Sequence, residues 1–185
     1  MKKNGVLFLC GLYTVIMVLC LVYFYEKGNV HSYQVAIGGI VCGLMPIVLN
    51  RLTKRFFNAP MILSYVLFLV GSQLLGSLAH FYSLGWWDTC IHFFSGILLA
   101  FVAVALYERL LGKEASSPLS VWLILLFVWG FAVFGGVLWE VYEFSMDHLF
   151  GMHLQGGGND DTMTDLIADT IGGGVIALFI ALRGK

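Results

Sequence analysis

The chain has 185 residues, of which 59% are hydrophobic and 11% are charged, and its formal net charge at pH 7 is −1. Soluble domains carry about twice this share of charged residues, so the composition excludes an ordinary soluble protein. A disordered or fibrous chain is excluded too, because apolar residues dominate, only 3 residues are Pro and no short repeat is present. The composition therefore indicates a polytopic integral membrane protein.

Six apolar segments are long enough to cross a bilayer, since about 20 helical residues span about 30 Å of hydrocarbon. Lipid cannot pair with backbone N–H and C=O groups, so spanning segments of this length are predicted to be helices. The first segment follows two lysines, but no small-residue cleavage site follows it, so we expect a retained helix rather than a signal peptide. The predicted fold class is all-α, a single transmembrane domain with six helices in one bundle, spanning residues 5–25, 33–50, 60–81, 88–107, 119–144 and 161–182.

The basic residues predict the orientation, because Lys and Arg near the ends of spans favour the cytoplasmic side. In the six-span arrangement only Lys27 falls on the outer side. Both termini are therefore predicted to be cytoplasmic, in a multi-pass protein of the cell membrane. The basic residues on the cytoplasmic side are Lys2, Lys3, Arg51, Lys54, Arg55, Arg109, Lys113, Arg183 and Lys185.

Two other residue types have a predicted structural role. The cysteines lack the close spacing of zinc sites or disulfide frameworks, so Cys10, Cys20, Cys42 and Cys90 are predicted to be free thiols. In the sixth span, Gly172, Gly173 and Gly174 are predicted to let another helix approach closely.

The acidic and histidine residues collect on the outer side, although they were not used to assign the orientation. Only Glu108 and Glu114 among the acids fall on the cytoplasmic side, beside basic residues. A charged side chain in a span costs about 2.5 to 3.5 kcal/mol, and such residues usually face a cavity, a partner or a pathway. The outer set consists of His31, His80, His92, His148, His153, Glu26, Asp88, Glu140, Glu143, Asp147, Asp160, Asp161, Asp165 and Asp169.

Helical spacing places several of these groups on shared faces in the fourth, fifth and sixth spans. Asp88 and His92 are four residues apart, and the other two stripes are Glu140, Glu143 and Asp147, then Asp161, Asp165 and Asp169. Structural roles compete with functional ones. Asp160 and Asp161 fit the first turn of a helix, His80 and Asp147 fit interfacial water, and His31, His148 and His153 fit loops. Buried, protonated carboxyl groups paired within the bundle are the structural alternative for the rest.

Carboxylates and imidazole without a basic partner repel one another unless a cation or protons intervene. Oxygen and nitrogen donors of this kind bind zinc, manganese, magnesium or ferrous iron, and such an ion activates water and polarises phosphoryl or acyl oxygens. A proton relay fits the same residues, and the sequence does not decide between the two. Nucleotide-binding glycine motifs, a GxSxG elbow and a basic nucleic-acid patch are absent from the sequence.

Three ordered motifs lie between about residues 85 and 175: WDTCIHFFSG at 87–96, WEVYE at 139–143, and QG at 155–156 leading into DDTMTDLIADTIG at 160–172. Together they resemble the YjdF-like family of bacterial integral membrane proteins and, more distantly, the VanZ-like family, which is associated with glycopeptide antibiotic tolerance. The resemblance implies a bacterial cytoplasmic-membrane protein and does not extend to Asp169, where we expect a small or amide residue in relatives. The implied signature residues are Asp88, His92, Glu140, Glu143, Asp161 and Asp165.

The leading hypothesis is a site open to the outer leaflet, with one divalent metal ion, acting on a lipid or cell-envelope intermediate. Its predicted metal ligands are His92, Glu140, Glu143, Asp161 and Asp165. Glu140, Glu143 and Asp88 are the predicted catalytic residues, and Asp88 also orients His92. A proton- or cation-coupled transporter and a non-catalytic membrane assembly protein are the alternatives. The expected partner is the lipid bilayer, no nucleic acid is expected, and the sequence leaves the oligomeric state open.

Overall fold

The computed structural model describes residues 3–52, 58–111, 121–151 and 154–183, and every regular element within these ranges is helical. Six helical stretches in them are long and apolar enough to cross a membrane, which confirms the predicted all-α polytopic class. Lys2, Lys54, Arg55, Lys113, Glu114, His153 and Lys185 lie outside the described residues. The helices are α1 (Lys3–Glu26), α2 (Val30–Leu52), α3 (Ala59–Leu69, continued by a π-helix over Val70–Leu78), α4 (Trp87–Leu111), α5 (Val121–Phe150) and α6 (Asn159–Arg183), with a 3₁₀ turn at Phe81–Ser83.

Most helix ends differ from the predicted boundaries by a few residues, as in the fourth helix, which runs to Leu111 rather than to residue 107. The third span ends at Leu78 rather than at residue 81, and His80 then takes a left-handed backbone conformation with φ of 62°. The fifth span continues past residue 144 to Phe150. It stops there because Gly151, with φ of 64°, closes the helix by donating its N–H to the Asp147 carbonyl over 2.9 Å. In the sequence, the end of the fifth helix is marked only by a helix-stop signal such as this glycine, not by the end of the apolar run.

The chain divides into two compact units, Met1–Trp87 and Asp88–Lys185, and the predicted single domain stays a prediction. In the first unit, α1, α2 and α3 pack around Tyr13, Met17 and Leu69. The Tyr13 hydroxyl donates to Oε1 of Gln73 in the π-helix over 2.7 Å, so a buried polar side chain is satisfied inside the unit. Asn58 caps α3 by accepting from the Met61 N–H.

In the second unit, small residues allow α4, α5 and α6 to pack at short distance. A Cβ added to Gly96 would clash with the main-chain carbonyl of Asp169, and one added to Gly172 would clash with that of Phe93. The close approach predicted for the glycines of the sixth span is therefore confirmed. One half of the unit is a core of small and apolar side chains, formed by Ala100, Ala103, Val128, Ala132 and Ala177.

The outward faces of the helices are apolar. Large side chains such as Phe8, Val41, Leu67, Phe134 and Leu182 are more than half exposed. An apolar surface of this kind is stable against lipid, where the contact of apolar side chains carries no solvation penalty. All four cysteines are free thiols, as predicted.

Candidate metal centre

His92 lies in the second turn of α4, is only 5% exposed, and is surrounded by carboxylates from three helices. Its Nε2 atom lies 3.8 Å from Oδ2 of Asp165, 3.9 Å from Oδ1 of Asp88 and 3.9 Å from Oε1 of Glu140. Asp88 is on the same helix, Glu140 is on α5 and Asp165 is on α6. Carboxylates from three different helices therefore surround the same imidazole.

The other nitrogen of His92 is held by Asp169, a completely buried residue of α6. His92 Nδ1 lies 2.9 Å from Asp169 Oδ2, and the Ser95 hydroxyl donates to the second oxygen, Oδ1. A carboxylate at Nδ1 fixes the orientation of the ring and leaves Nε2 facing the remaining acids, an arrangement typical of metal-binding histidines. The sequence pattern assigned this orienting role to Asp88, whereas the hydrogen bond is made by Asp169.

Two groups of possible metal ligands occur among the described residues, and they share Asp165. The inner group is His92, Glu140 and Asp165, all buried, and the outer group is Asp88, Asp161 and Asp165, of which the first two are half-buried. Within each group the ligand atoms lie within 4.8 Å of one another. Two donors on one ion can be about 4.4 Å apart at most, since each metal–oxygen bond is about 2.0–2.2 Å, so small side-chain rotations would complete either site.

Three buried carboxylate oxygens in the inner group have no hydrogen-bond partner within the protein. They are both side-chain oxygens of Asp165, a residue that is 1% exposed, and Oε1 of Glu140. Leaving a buried polar atom unpaired costs about 1–3 kcal/mol, and more when the group is charged. These oxygens are therefore the strongest sign in the unit that the protein binds a proton or a cation here.

Basic side chains do not neutralise these acids among the described residues of this unit. Arg109 and Arg183 lie in the last turns of α4 and α6, whereas the site lies near the first turns of the same helices. At an effective dielectric of about 20, two like charges 4 Å apart repel by about 4 kcal/mol. The acids cannot all be ionised without a compensating positive charge.

Two acids of the predicted stripe on α5 point elsewhere. Glu143 is buried and accepts a hydrogen bond from Trp139 Nε1 over 2.8 Å, and it belongs to neither group of possible ligands. Asp147 accepts from the main-chain N–H groups of Leu154 over 2.5 Å and Gln155 over 2.9 Å. Asp147 therefore holds the connection between α5 and α6, a structural role that its position near a span end did not reveal.

Most of the remaining acids and histidines predicted on the outer side lie outside both groups of ligands. Asp160 and Asp161 occupy the first turn of α6, as predicted, although Asp161 also belongs to the outer group. His31, His80, His148 and Asp160 are exposed. The sequence thus predicted all five members of the two groups as candidate site residues. It gave too little weight to Asp169, and it did not predict Ser95 as the partner of Asp169.

A family model described as a predicted membrane protein (DUF2238) matches residues 8–185, and the chain belongs to this family. An uncharacterized protein of Thermotoga maritima is 31% identical over 133 residues, which make up 70% of this chain and 66% of that relative. The chain therefore spans slightly less than two thirds of the relative's length. No solved structure matches the chain. The resemblance to YjdF-like and VanZ-like proteins stays a prediction.

Proposed function

We propose that this member of the DUF2238 family is a membrane metalloprotein that binds a divalent cation between α4, α5 and α6. The observation that carries the proposal is the set of three buried carboxylate oxygens on Asp165 and Glu140 that have no hydrogen-bond partner within the protein, beside the imidazole of His92. A divalent cation would pair these oxygens and offset the repulsion among the acids. One imidazole with carboxylates suits zinc, manganese or ferrous iron.

The supporting contacts around His92 favour a metal over protons alone. Protons on the carboxyl groups would also relieve the repulsion, because a protonated carboxyl group can donate to a neighbouring acid. Asp169, held by Ser95, keeps Nδ1 engaged and directs Nε2 toward Asp165 and Glu140. This geometry prepares Nε2 as a metal ligand.

We infer that the bound cation acts on a lipid or cell-envelope intermediate from the outer leaflet. A cation at this position would polarise a phosphoryl or acyl oxygen and activate water. The half-buried Asp88 and Asp161 and the exposed glycines 156–158 lie on the side of the site where α4 and α6 begin. The basic residues on the opposite helix ends favour a cytoplasmic location for those ends, which directs the site outward.

The two alternative functions fit the second unit less well. A proton- or cation-coupled transporter needs a polar route past the site, but the apolar core of Ala100, Val128, Ala132 and Ala177 lies where such a route would run between the three helices. An assembly protein that binds a basic segment needs accessible acids, whereas Asp165 is 1% exposed and Glu140 4%. Both observations favour a buried cation.

Metal analysis of the purified full-length protein tests the proposal. We expect divalent metal in a stoichiometric amount by mass spectrometry, and its loss in Asp165→Asn, which retains shape but removes the charge that holds the ion. The matched control is Asp160→Asn, an identical change on the same helix at an exposed residue outside both groups. Glu143→Gln is expected to retain metal, because Glu143 is engaged by Trp139.

The result that would overturn the proposal is the absence of metal from wild-type protein after reconstitution, or a metal content that Asp165→Asn leaves unchanged. The role in lipid chemistry is tested separately, by comparing the membrane lipids of cells that express wild type with those of cells that express Asp165→Asn. Matching lipid and envelope-precursor profiles would reject that role and leave the metal site in place.

A further inference from the structure

The outer group of ligands adjoins the inner one through a single shared residue. Asp88, Asp161 and Asp165 place one oxygen each within 4.8 Å of one another, and Asp165 is also a member of the inner group with His92 and Glu140. Asp88 Oδ1 lies 3.9 Å from His92 Nε2, so the two groups are side by side. A carboxylate shared by two neighbouring groups of ligands is the arrangement that can bridge two ions, which lie about 3.5–4 Å apart in two-metal sites.

The two oxygens of Asp165 supply an independent indication. One cation in the inner group needs only one of them, yet both Oδ1 and Oδ2 are buried and without a hydrogen-bond partner within the protein. A carboxylate that coordinates one ion usually has its second oxygen hydrogen-bonded. Because Asp165 also belongs to the outer group, its second oxygen is available to a further positive partner shared with Asp88 and Asp161.

We propose that Asp165 bridges two divalent cations, an inner one with His92 and Glu140 and an outer one with Asp88 and Asp161. This inference rests on the proposed function, because it adds a second ion to the same site. The outer position offers only carboxylate oxygens, the donors preferred by Mg²⁺, Mn²⁺ and Ca²⁺. Asp88 and Asp161 are half-buried, so water or an oxygen of a substrate completes the coordination of the outer ion.

The two ion positions differ in their exposure to solvent, and we therefore expect the two ions to exchange with the solution at different rates. The side chains of the inner ligands are at most 6% exposed, whereas the Asp88 side chain is 32% exposed. The outer ion is expected to bind more weakly and to leave first on dilution or on addition of a chelator. The charge balance supports two ions, because four acids, Asp88, Glu140, Asp165 and Asp169, surround one imidazole and a fifth, Asp161, lies beside two of them.

The test is titration of the metal-free full-length protein in detergent with Mn²⁺ alone, followed by electron paramagnetic resonance and by metal counting. We expect two Mn²⁺ per chain in wild type, with the broadened, coupled spectrum of two nearby ions. Asp161→Asn is expected to bind one Mn²⁺ with an uncoupled spectrum. Asp160→Asn, its neighbour in the first turn of α6, is expected to match wild type.

The possible outcomes separate the two proposals. One Mn²⁺ per chain in wild type, unchanged in Asp161→Asn and lost in His92→Ala, overturns the outer position and leaves the single-cation site standing. Two uncoupled ions overturn Asp165 as the bridge. No binding in any protein rejects both proposals. Size-exclusion profiles and thermal unfolding of each variant show whether loss of metal reflects loss of fold, and Asp88→Asn supplies a second variant of the outer group.

Discussion

Asp169 connects the candidate site to the packing of the helices. Its carboxylate contacts His92 Nδ1 and the Ser95 hydroxyl. Its main-chain carbonyl lies against Gly96 of α4, and its side chain lies against Gly136 of α5. The residue is completely buried, so its position follows from the way in which three helices meet. Because Asp169 contacts Nδ1 and belongs to neither group of ligands, we expect it to orient the imidazole rather than to coordinate the ion.

The substitution Asp169→Asn keeps the size of the side chain and removes its charge. We expect the affinity for Mn²⁺ to fall about 10- to 100-fold, the usual effect of removing a supporting contact from a ligand, with unchanged stoichiometry at saturation. Titration by electron paramagnetic resonance measures both quantities, and Asp160→Asn is the control. An affinity equal to that of wild type would show that Asp169 does not position His92.

At the scale of the helices, glycines set the distances that bring the ligands together. Gly96 and Gly172 let the backbones of α4 and α6 approach, and Gly136 makes room on α5 for the side chain of Asp169. A Cβ on Gly136 would lie 2.6 Å from Asp169 Oδ2 and 3.0 Å from its Cβ. Because Asp169 is enclosed on every side, it cannot move away without breaking its contact with His92.

The substitution Gly136→Ala tests this packing. We expect the free energy of unfolding to fall by about 1–3 kcal/mol, the typical cost of adding a methyl group to a filled core, and Mn²⁺ binding to weaken. Gly130→Ala, on the same helix, has no atom within 4 Å of the added Cβ and should be neutral or stabilising by about 0.5–1 kcal/mol. Unfolding in mixed micelles measures the stability of both variants, and equal stabilities of Gly136→Ala and Gly130→Ala would contradict the packing model.

At the scale of the whole molecule, the charges separate the two ends of the second unit. His92 and the acids of the two ligand groups lie near the start of α4 and α6 and the end of α5, and Arg109 and Arg183 lie near the ends of α4 and α6. The same separation runs through the complete sequence, in which only Lys27 departs from the basic side. Because basic residues are retained in the cytoplasm during insertion, this pattern predicts that the site faces outward.

Reporter fusions test the orientation. If the C terminus is cytoplasmic, alkaline phosphatase fused after Lys185 should be inactive and a fluorescent protein fused there should be bright. Phosphatase fused after Gly151, at the end of α5, should be active. The reverse pattern would place the candidate site on the cytoplasmic side and would reject an outer-leaflet substrate, without affecting metal binding.

The sequence by itself determined the membrane class, the six helical spans and the residues on each polar stripe. These features depend on local properties: the length of an apolar run decides whether it spans, and the helical repeat decides which residues share a face. Asp88 with His92, and Asp161 with Asp165, could be grouped on this basis. The free cysteines and the close contact at Gly172 also followed from the sequence.

Only the tertiary structure decided which acids meet His92. Helical spacing gives directions within one helix but not the rotation and depth of one helix against another, and these depend on close contacts such as those of Gly96 and Gly172. Glu143 therefore turns to Trp139 although it is one turn from Glu140, and Asp169, not Asp88, binds Nδ1. The shared role of Asp165 likewise requires three helices to be in place, because its neighbours come from all of them.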